Sequence, residues 1–238
     1  MKERIETLLK RGMILTLCIL TAGFSAAKKK QVITIKQGDP LILLQEKKTA
    51  IHDIDYSNLI ITDDKDHDYD LPFREWMISQ DEDKDKWTKD WEEKDSAECY
   101  RAFRDYFNDE IDKGMKLTKI GKDYKVTLRL TKANFGKSPK GGAVVAGLLL
   151  GGARSLISTA HASGVLEVRD LKNEEVVLLL SFDDLEGEEG YTQIKRFKGI
   201  FENLCEQINE YLEEYKKDYE KKQKELEKQQ KKLAKQKK

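Results

Sequence analysis

The sequence has three histidines, His52, His67 and His161, and no two of them stand at a spacing that suits a shared metal ion. His67 lies among acidic residues and reads as an exposed side chain rather than a catalytic one. There is no Gly-x-Ser-x-Gly elbow to present a nucleophile. No glycine loop ends in the Gly-Lys-Ser/Thr of a phosphate cradle, and Gly141-Gly142, which follows Lys137 and Lys140, lacks that ending. Net charge is missing too, since 44 basic and 44 acidic residues cancel. That excludes the strong basic balance of a nucleic-acid binder. The longest apolar run, near the N-terminus, falls short of the ~20 residues a membrane-spanning helix needs. These absences leave no catalytic constellation and argue for a non-enzymatic protein.

What the N-terminus does have is the three-part form of a secretory signal. Lys2, Arg4, Lys10 and Arg11 make a positive start, Gly12–Gly23 is uncharged and apolar, and Ser25-Ala26-Ala27 supplies small residues for cleavage after Ala27. Residues 1–27 are therefore expected to be a signal peptide. Cys18 is preceded by the bulky Leu17, which does not suit lipidation. The expected location is exported, either periplasmic or outer-membrane associated. Cleavage leaves a formal charge of −2 and two cysteines, Cys99 and Cys205. In an oxidising compartment they are a disulfide candidate. The alternative is two buried free thiols, because each falls on an expected helix beside its apolar stripe.

From residue 31 to 62 the chain reads as strands: Val32, Ile33 and Ile35 before Gly38-Asp39-Pro40, Leu41–Leu44 after that turn, then Ile51–Tyr56 and Leu59–Ile61 around Ser57-Asn58. Within the acidic stretch that follows, Leu71-Pro72-Phe73 and Trp76-Met77-Ile78 offer anchors to a core. A helix is expected over Asp85–Lys113, with Trp87, Trp91, Tyr100, Phe103, Phe107 and Ile111 as its core stripe. Lys122–Lys132 alternates: Tyr124, Val126, Leu128 and Leu130 face one way, and Lys125, Thr127, Arg129 and Thr131 the other. This is a half-buried strand with one wet face. Gly164–Leu171 and Glu175–Phe182 form a strand pair around Lys172-Asn173-Glu174 that ends at Gly187–Gly190. Ile194, Phe197, Phe201, Leu204, Ile208, Leu212 and Tyr215 then mark a second amphipathic helix.

Glu213–Lys238 carries 6 acidic and 11 basic residues and almost no apolar ones. It reads as a helical extension with i,i+4 pairs such as Glu220–Lys224, or as a disordered basic tail. Sustained a and d positions of a coiled coil are absent. Strands then helix, repeated without βαβ alternation, give an α+β fold: a mostly antiparallel sheet with two amphipathic helices on one face. The expected organisation is one domain over residues 28–217 with a charged tail over 218–238.

Two features remain. In the glycine-rich insert Gly141–Gly164, Ala143, Gly147, Gly151 and Ser155 recur every four residues, a small-residue ridge of the kind that lets helices approach closely. It reads either as a membrane or partner contact, or as a crossover against its own sheet. Between residues 63 and 95, 14 acidic residues face 6 basic ones. Asp64, Asp66, Asp68, Asp70 and Glu75 fall at positions 1, 3, 5, 7 and 12 of a calcium loop, and Asp81, Asp83, Asp85 and Glu92 at positions 1, 3, 5 and 12. Tyr69 and Lys86 stand where such loops want glycine. The cofactor expectation is therefore none, with calcium or a small ligand at these loops as the alternative.

The segment 122–211 combines strand DYKVTLRLTKANFG, a glycine-rich crossover, the pair ASGVLEVRDLKNEEVVLLLSF and a final amphipathic helix. It resembles a domain-of-unknown-function group of exported bacterial proteins related to the TolB amino-terminal domain and the periplasmic domain of the curli-secretion channel. Those relatives often carry a glycine in the second turn, where this chain has Lys172-Asn173-Glu174. The resemblance implies an α+β envelope domain that binds an envelope protein or self-assembles, and it implies no catalytic residues. The expected function is a non-enzymatic envelope interaction or assembly protein with peripheral membrane contact and no nucleic-acid partner.

Overall fold

In the computed structural model the described residues are 32–62, 70–80, 84–135, 159–189 and 192–236. The expected signal peptide lies outside them. In chain order the elements are β1 (Ile33–Gly38), a 3-10 turn (Pro40–Leu44), β2 (Thr49–Asp55), β3 (Ile60–Thr62), β4 (Asp70–Pro72), α1 (Phe73–Gln80), α2 (Lys84–Asp90), a π-helical turn (Trp91–Asp95) and α3 (Ser96–Glu110). Then follow β5 (Lys116–Leu117), β6 (Tyr124–Asn134), β7 (Thr159–Asp170), β8 (Val176–Glu189) and α4 (Gln193–Gln236). The fold is α+β.

The alternating strand Tyr124–Asn134 organises the sheet. One side of β6 pairs antiparallel with β7, which continues antiparallel to β8 and then β1. The other side takes two short strands end to end, both parallel to it: Ala50–Asp55 beside Tyr124–Arg129, and Ile60–Ile61 beside Lys132–Ala133. Ser57-Asn58 thus joins two strands that share a partner and do not pair with each other. The result is a mixed eight-stranded sheet of order β1-β8-β7-β6-β2-β5, with β3 and β4 off that path.

On the core face Val126 and Leu128 of β6, Leu166 and Val168 of β7, and Leu178 and Leu180 of β8 are all buried. Each such side chain contributes about 1.5–3 kcal/mol by leaving water. Helices α3 and α4 cover this face. Lys198 pairs with Glu98, and the Phe201 ring lies 5.8 Å from that of Phe103, so the two helices run in the same direction. Helix α4 starts beside the start of α3 and continues past its end. Its buried face stops at Leu212, and every residue from Lys216 to Lys231 is exposed. The tail, read from sequence as either helix or coil, is helix to Gln236.

Three expectations shift. Leu41–Leu44 is not a strand: Pro40 opens a 3-10 turn whose first free N–H, that of Leu41, donates to Asp39 Oδ1 at 3.0 Å. The π-helical turn inside the long helix has a packing cause. Trp91, Cys99, Phe103 and Phe107 are buried and spaced in multiples of four, a period that drifts around a 3.6-residue helix. One i→i+5 bond, Ser96 N–H to the Trp91 carbonyl, takes up an extra residue and brings Trp91 back to the core side. Trp87, expected on the same stripe, lies outside the described side chains. Finally, β7 begins at Thr159 rather than at Gly164, so the end of the glycine-rich segment is sheet. Gly164 sits mid-strand because a Cβ there would lie 2.4 Å from the Arg129 carbonyl oxygen and 2.7 Å from the Phe182 ring.

Candidate functional site

The opposite, wet face of the sheet carries a cluster of charged residues at alternate positions of three neighbouring strands. Asp53 and Asp55 project from β2, Lys125, Thr127 and Arg129 from β6, and Glu167 and Arg169 from β7. The register sets Asp53 beside Thr127 beside Glu167, Asp55 beside Arg129, and Lys125 beside Arg169. Together they line a shallow groove of about 300 Å³. Glu167 is its centre, with a side chain only 8% exposed. It accepts from Arg129 Nη1 at 2.7 Å and from Arg169 Nη2 at 2.9 Å. Arg129 Nε lies 3.7 Å from Asp55, and Lys125 Nζ lies 3.6 Å from Asp53.

Burial pushes the Glu167 carboxyl up, and the hydrogen bonds and charges of Arg129 and Arg169 more than reverse it, leaving it below the usual carboxylate range. Asp55 is held low as well, by the Ser57 hydroxyl and N–H at 2.6 and 2.9 Å. A general acid needs a carboxyl raised toward neutral pH. These two are held ionised, so the groove is an ion-pair surface: it can exchange partners with charged groups of another molecule, and it does not store a proton.

No family model and no curated protein matches the chain. Solved structures with a related arrangement include the PelC dodecamer from Paraburkholderia phytofirmans in two crystal forms, each 6% identical with a TM-score of 0.33, covering 74% of this chain and 95% or 96% of the other. A Xanthomonas campestris protein of the DUF330 family is 8% identical with a TM-score of 0.36, over 77% of this chain and 94% of that one. At these values the likeness carries no argument. These three are PelC and DUF330 proteins, not the TolB or curli-secretion relatives that the sequence pattern resembles.

The remaining candidates fall as follows. Ala143, Gly147, Gly151 and Ser155 lie outside the described residues, as do Asp64, Asp66, Asp68, Asp81 and Asp83 and the side chain of Asp85. Asp70 is exposed in β4, Glu75 is exposed in the first turn of α1, and Glu92 is exposed in the π-helical turn. Among the described residues no three His, Cys, Asp or Glu side chains converge as metal ligands, and no helix is long and apolar enough to cross a membrane.

Cys99 and Cys205 are both buried free thiols, which corrects the disulfide candidate. The cause is axial offset. Glu98 is level with Lys198 on the neighbouring helix, so Cys205 stands about 9 Å further along it, beyond the ~7 Å that a disulfide allows between Cα atoms. Burial pushes the Cys99 thiol up to about 12 and Cys205 well above its usual value, so neither is a reactive thiolate.

Sequence reading found the wet face of β6 and missed its partners. The same period of two runs through Asp53 and Asp55 and through Glu167 and Arg169, and only the register brings the three strands together. It also passed over His52, which lies under the sheet, 4% exposed. Its ring stacks 3.6 Å from that of Tyr100, and Nε2 sits 3.0 Å from the Tyr100 carbonyl oxygen, while buried Nδ1 has no partner. Burial lowers its pKa, and Arg104 adds to that. The Tyr100 carbonyl, Asp53 and Asp105 oppose it without reversing it. The unfolded chain therefore takes up this proton first on acidification. The His52 contribution is complete above the ordinary value of 6.5, and is lost as pH falls from there through the lower folded-state value. His52→Gln, which keeps a donor for Tyr100, is expected to melt with a flatter pH dependence than wild type between pH 7.5 and 5.5. Parallel melting curves for the two proteins would refute this.

Proposed function

We propose that the chain is a non-enzymatic interaction or assembly protein of the bacterial cell envelope, exported and then held at the periplasmic or outer-membrane side. The observation that carries this reading is helix α4. Its first half is cemented into the core, and its second half, Lys216–Lys231, is exposed at every residue. A segment that buries nothing against its own domain contributes little to that domain, and a rigid helix fixed at one end is suited to reach a partner. The ionised carboxylates of the sheet groove support the same reading, because they fit contact better than acid–base chemistry.

Fractionation tests it. The mature protein is expected in the envelope or periplasmic fraction, lighter by residues 1–27. A version ending at Tyr215 is expected to keep its melting temperature and to be released from the envelope fraction by a low-salt wash that leaves the full chain bound. Recovery from the cytoplasm with residues 1–27 still attached would overturn the reading.

A further inference from the structure

Along the projecting half of α4 one apolar row persists: Leu212, Tyr219, Leu226 and Leu233 recur every seven residues. Leu212 is buried against the domain, at 1% exposure. Tyr219 and Leu226 are 44% and 50% exposed, two of the four large apolar side chains that the described surface leaves open. The row therefore extends the face by which α4 packs on its own core into a region where no described residue covers it.

Taking the row as the d position of a heptad assigns the rest. The a positions are Lys216, Gln223 and Gln230. Glu220 and Glu227 fall at e, and Lys222 falls at g. The lysines Lys217, Lys221, Lys224 and Lys228 fall at b and f, on the side away from the row. Sequence reading found no joint a and d pattern because every a position here is polar. The exposed helix shows that the sustained d row is a surface in its own right.

We propose that residues 216–236 pair with the same segment of a second copy as a parallel two-stranded coiled coil. The charges select this occupant. In a parallel pair the g residue of one helix meets the e residue of the next heptad across the seam, which sets Lys222 against Glu227 of the other copy twice by symmetry. In an antiparallel pair e faces e, and Glu220 and Glu227 would repel. Leucine at d suits a parallel pair, and the polar a positions, with Lys216 facing its copy, lower the stability of that pair. An anionic membrane fits less well. An interfacial helix needs a broad apolar face to bury in lipid, whereas here the face is one residue wide, with Lys216 and Gln223 beside Tyr219 and Leu226. The association is weak and concentration-dependent, because only the d layers are apolar.

The pairing rests on the reading of the projecting helix as a contact element. The test is sedimentation equilibrium of the full mature chain up to about 1 mM, a range suited to affinities of a few kcal/mol. Wild type is expected to move from monomer to dimer mass. Leu226→Glu, at an exposed position, is expected to leave the melting temperature unchanged and the protein monomeric. Lys224→Glu, on the far side, is expected to dimerise as wild type. Glu227→Lys is expected to weaken the dimer and Lys222→Glu with Glu227→Lys to restore it. Monomer mass at every concentration, or a dimer that survives Leu226→Glu, overturns the proposal. A monomer whose truncated form is still released from the envelope removes self-pairing and leaves the envelope reading standing. A dimer of this behaviour recovered from the cytoplasm does the reverse.

Discussion

Phe197→Ala is expected to cost about 3–5 kcal/mol, the range for removing a fully buried aromatic ring from a core that cannot collapse around the gap. Phe197 has no exposed surface. Its ring stands 4.9 Å from Phe135, 5.5 Å from Tyr56, 5.7 Å from Phe73 and 5.8 Å from Trp91. Those four rings come from the end of β6, the turn after β2, the start of α1 and the π-helical turn. Phe197 is thus where the first turns of α4 hold four separate segments together, and the loss exceeds one side chain's transfer energy because each neighbour loses its contact. Phe197→Leu, which keeps most of the apolar volume, should cost under about 1.5 kcal/mol. Urea unfolding followed by tryptophan fluorescence measures both. A Phe197→Ala cost below about 1 kcal/mol would show that the cluster closes over the space and that Phe197 is not its hub.

The elements that sequence reveals are those whose burial follows one period. Tyr124, Val126, Leu128 and Leu130 alternate because one side of β6 faces the helices, and Phe197, Phe201, Leu204 and Ile208 follow a helical stripe because one side of α4 faces the sheet. What stays hidden depends on the partner rather than on the segment. The sequence of β2 alternates equally well for a parallel or an antiparallel neighbour, so its parallel pairing with β6 has no local signature. The π-helical turn leaves only a slow drift in the spacing of Trp91, Cys99, Phe103 and Phe107. The start of β7 is hidden because Thr159–Gly164 is rich in small residues, which read as loop until their position against β6 and β8 is known.

The same distinction applies to the sheet groove and the projecting helix. The groove on the sheet is made by register: Glu167 and Arg129 are far apart in sequence and meet only because β6 and β7 pair as they do. The projecting helix is made by continuation: α4 keeps its helical path after its core face has run out. One surface is a balanced set of ion pairs and the other a narrow apolar row flanked by charge, so they suit different contacts. Substitutions in one should leave the other unaffected, since distant sites without shared partners act independently.

The groove gives the second large effect, and its size depends on pH. Arg129→Met with Arg169→Met is expected to cost about 3 kcal/mol at pH 7, because it leaves the buried Glu167 carboxylate without a cation. Either substitution alone should cost about 1 kcal/mol, since the remaining arginine still donates to Glu167. The double variant is therefore expected to lose more than the two single losses combined. In wild type the arginines hold the Glu167 carboxyl below its ordinary value of 4.5, so their contribution is present above that pH and is lost as pH falls through the lower folded-state value. In the double variant only burial acts on Glu167, which raises its pKa above the unfolded value. The cost is then greatest at neutral pH and disappears as acid protonates the carboxyl. Between pH 7 and 4.5 the stability gap between wild type and double variant should narrow, while wild type itself gains nothing from acid. Urea denaturation at pH 7, 5.5 and 4.5 reads the gap directly. Additive losses with a gap that does not change with pH would mean that water already solvates Glu167, and that the groove is an ordinary exposed surface rather than an ion-pair network set into the sheet.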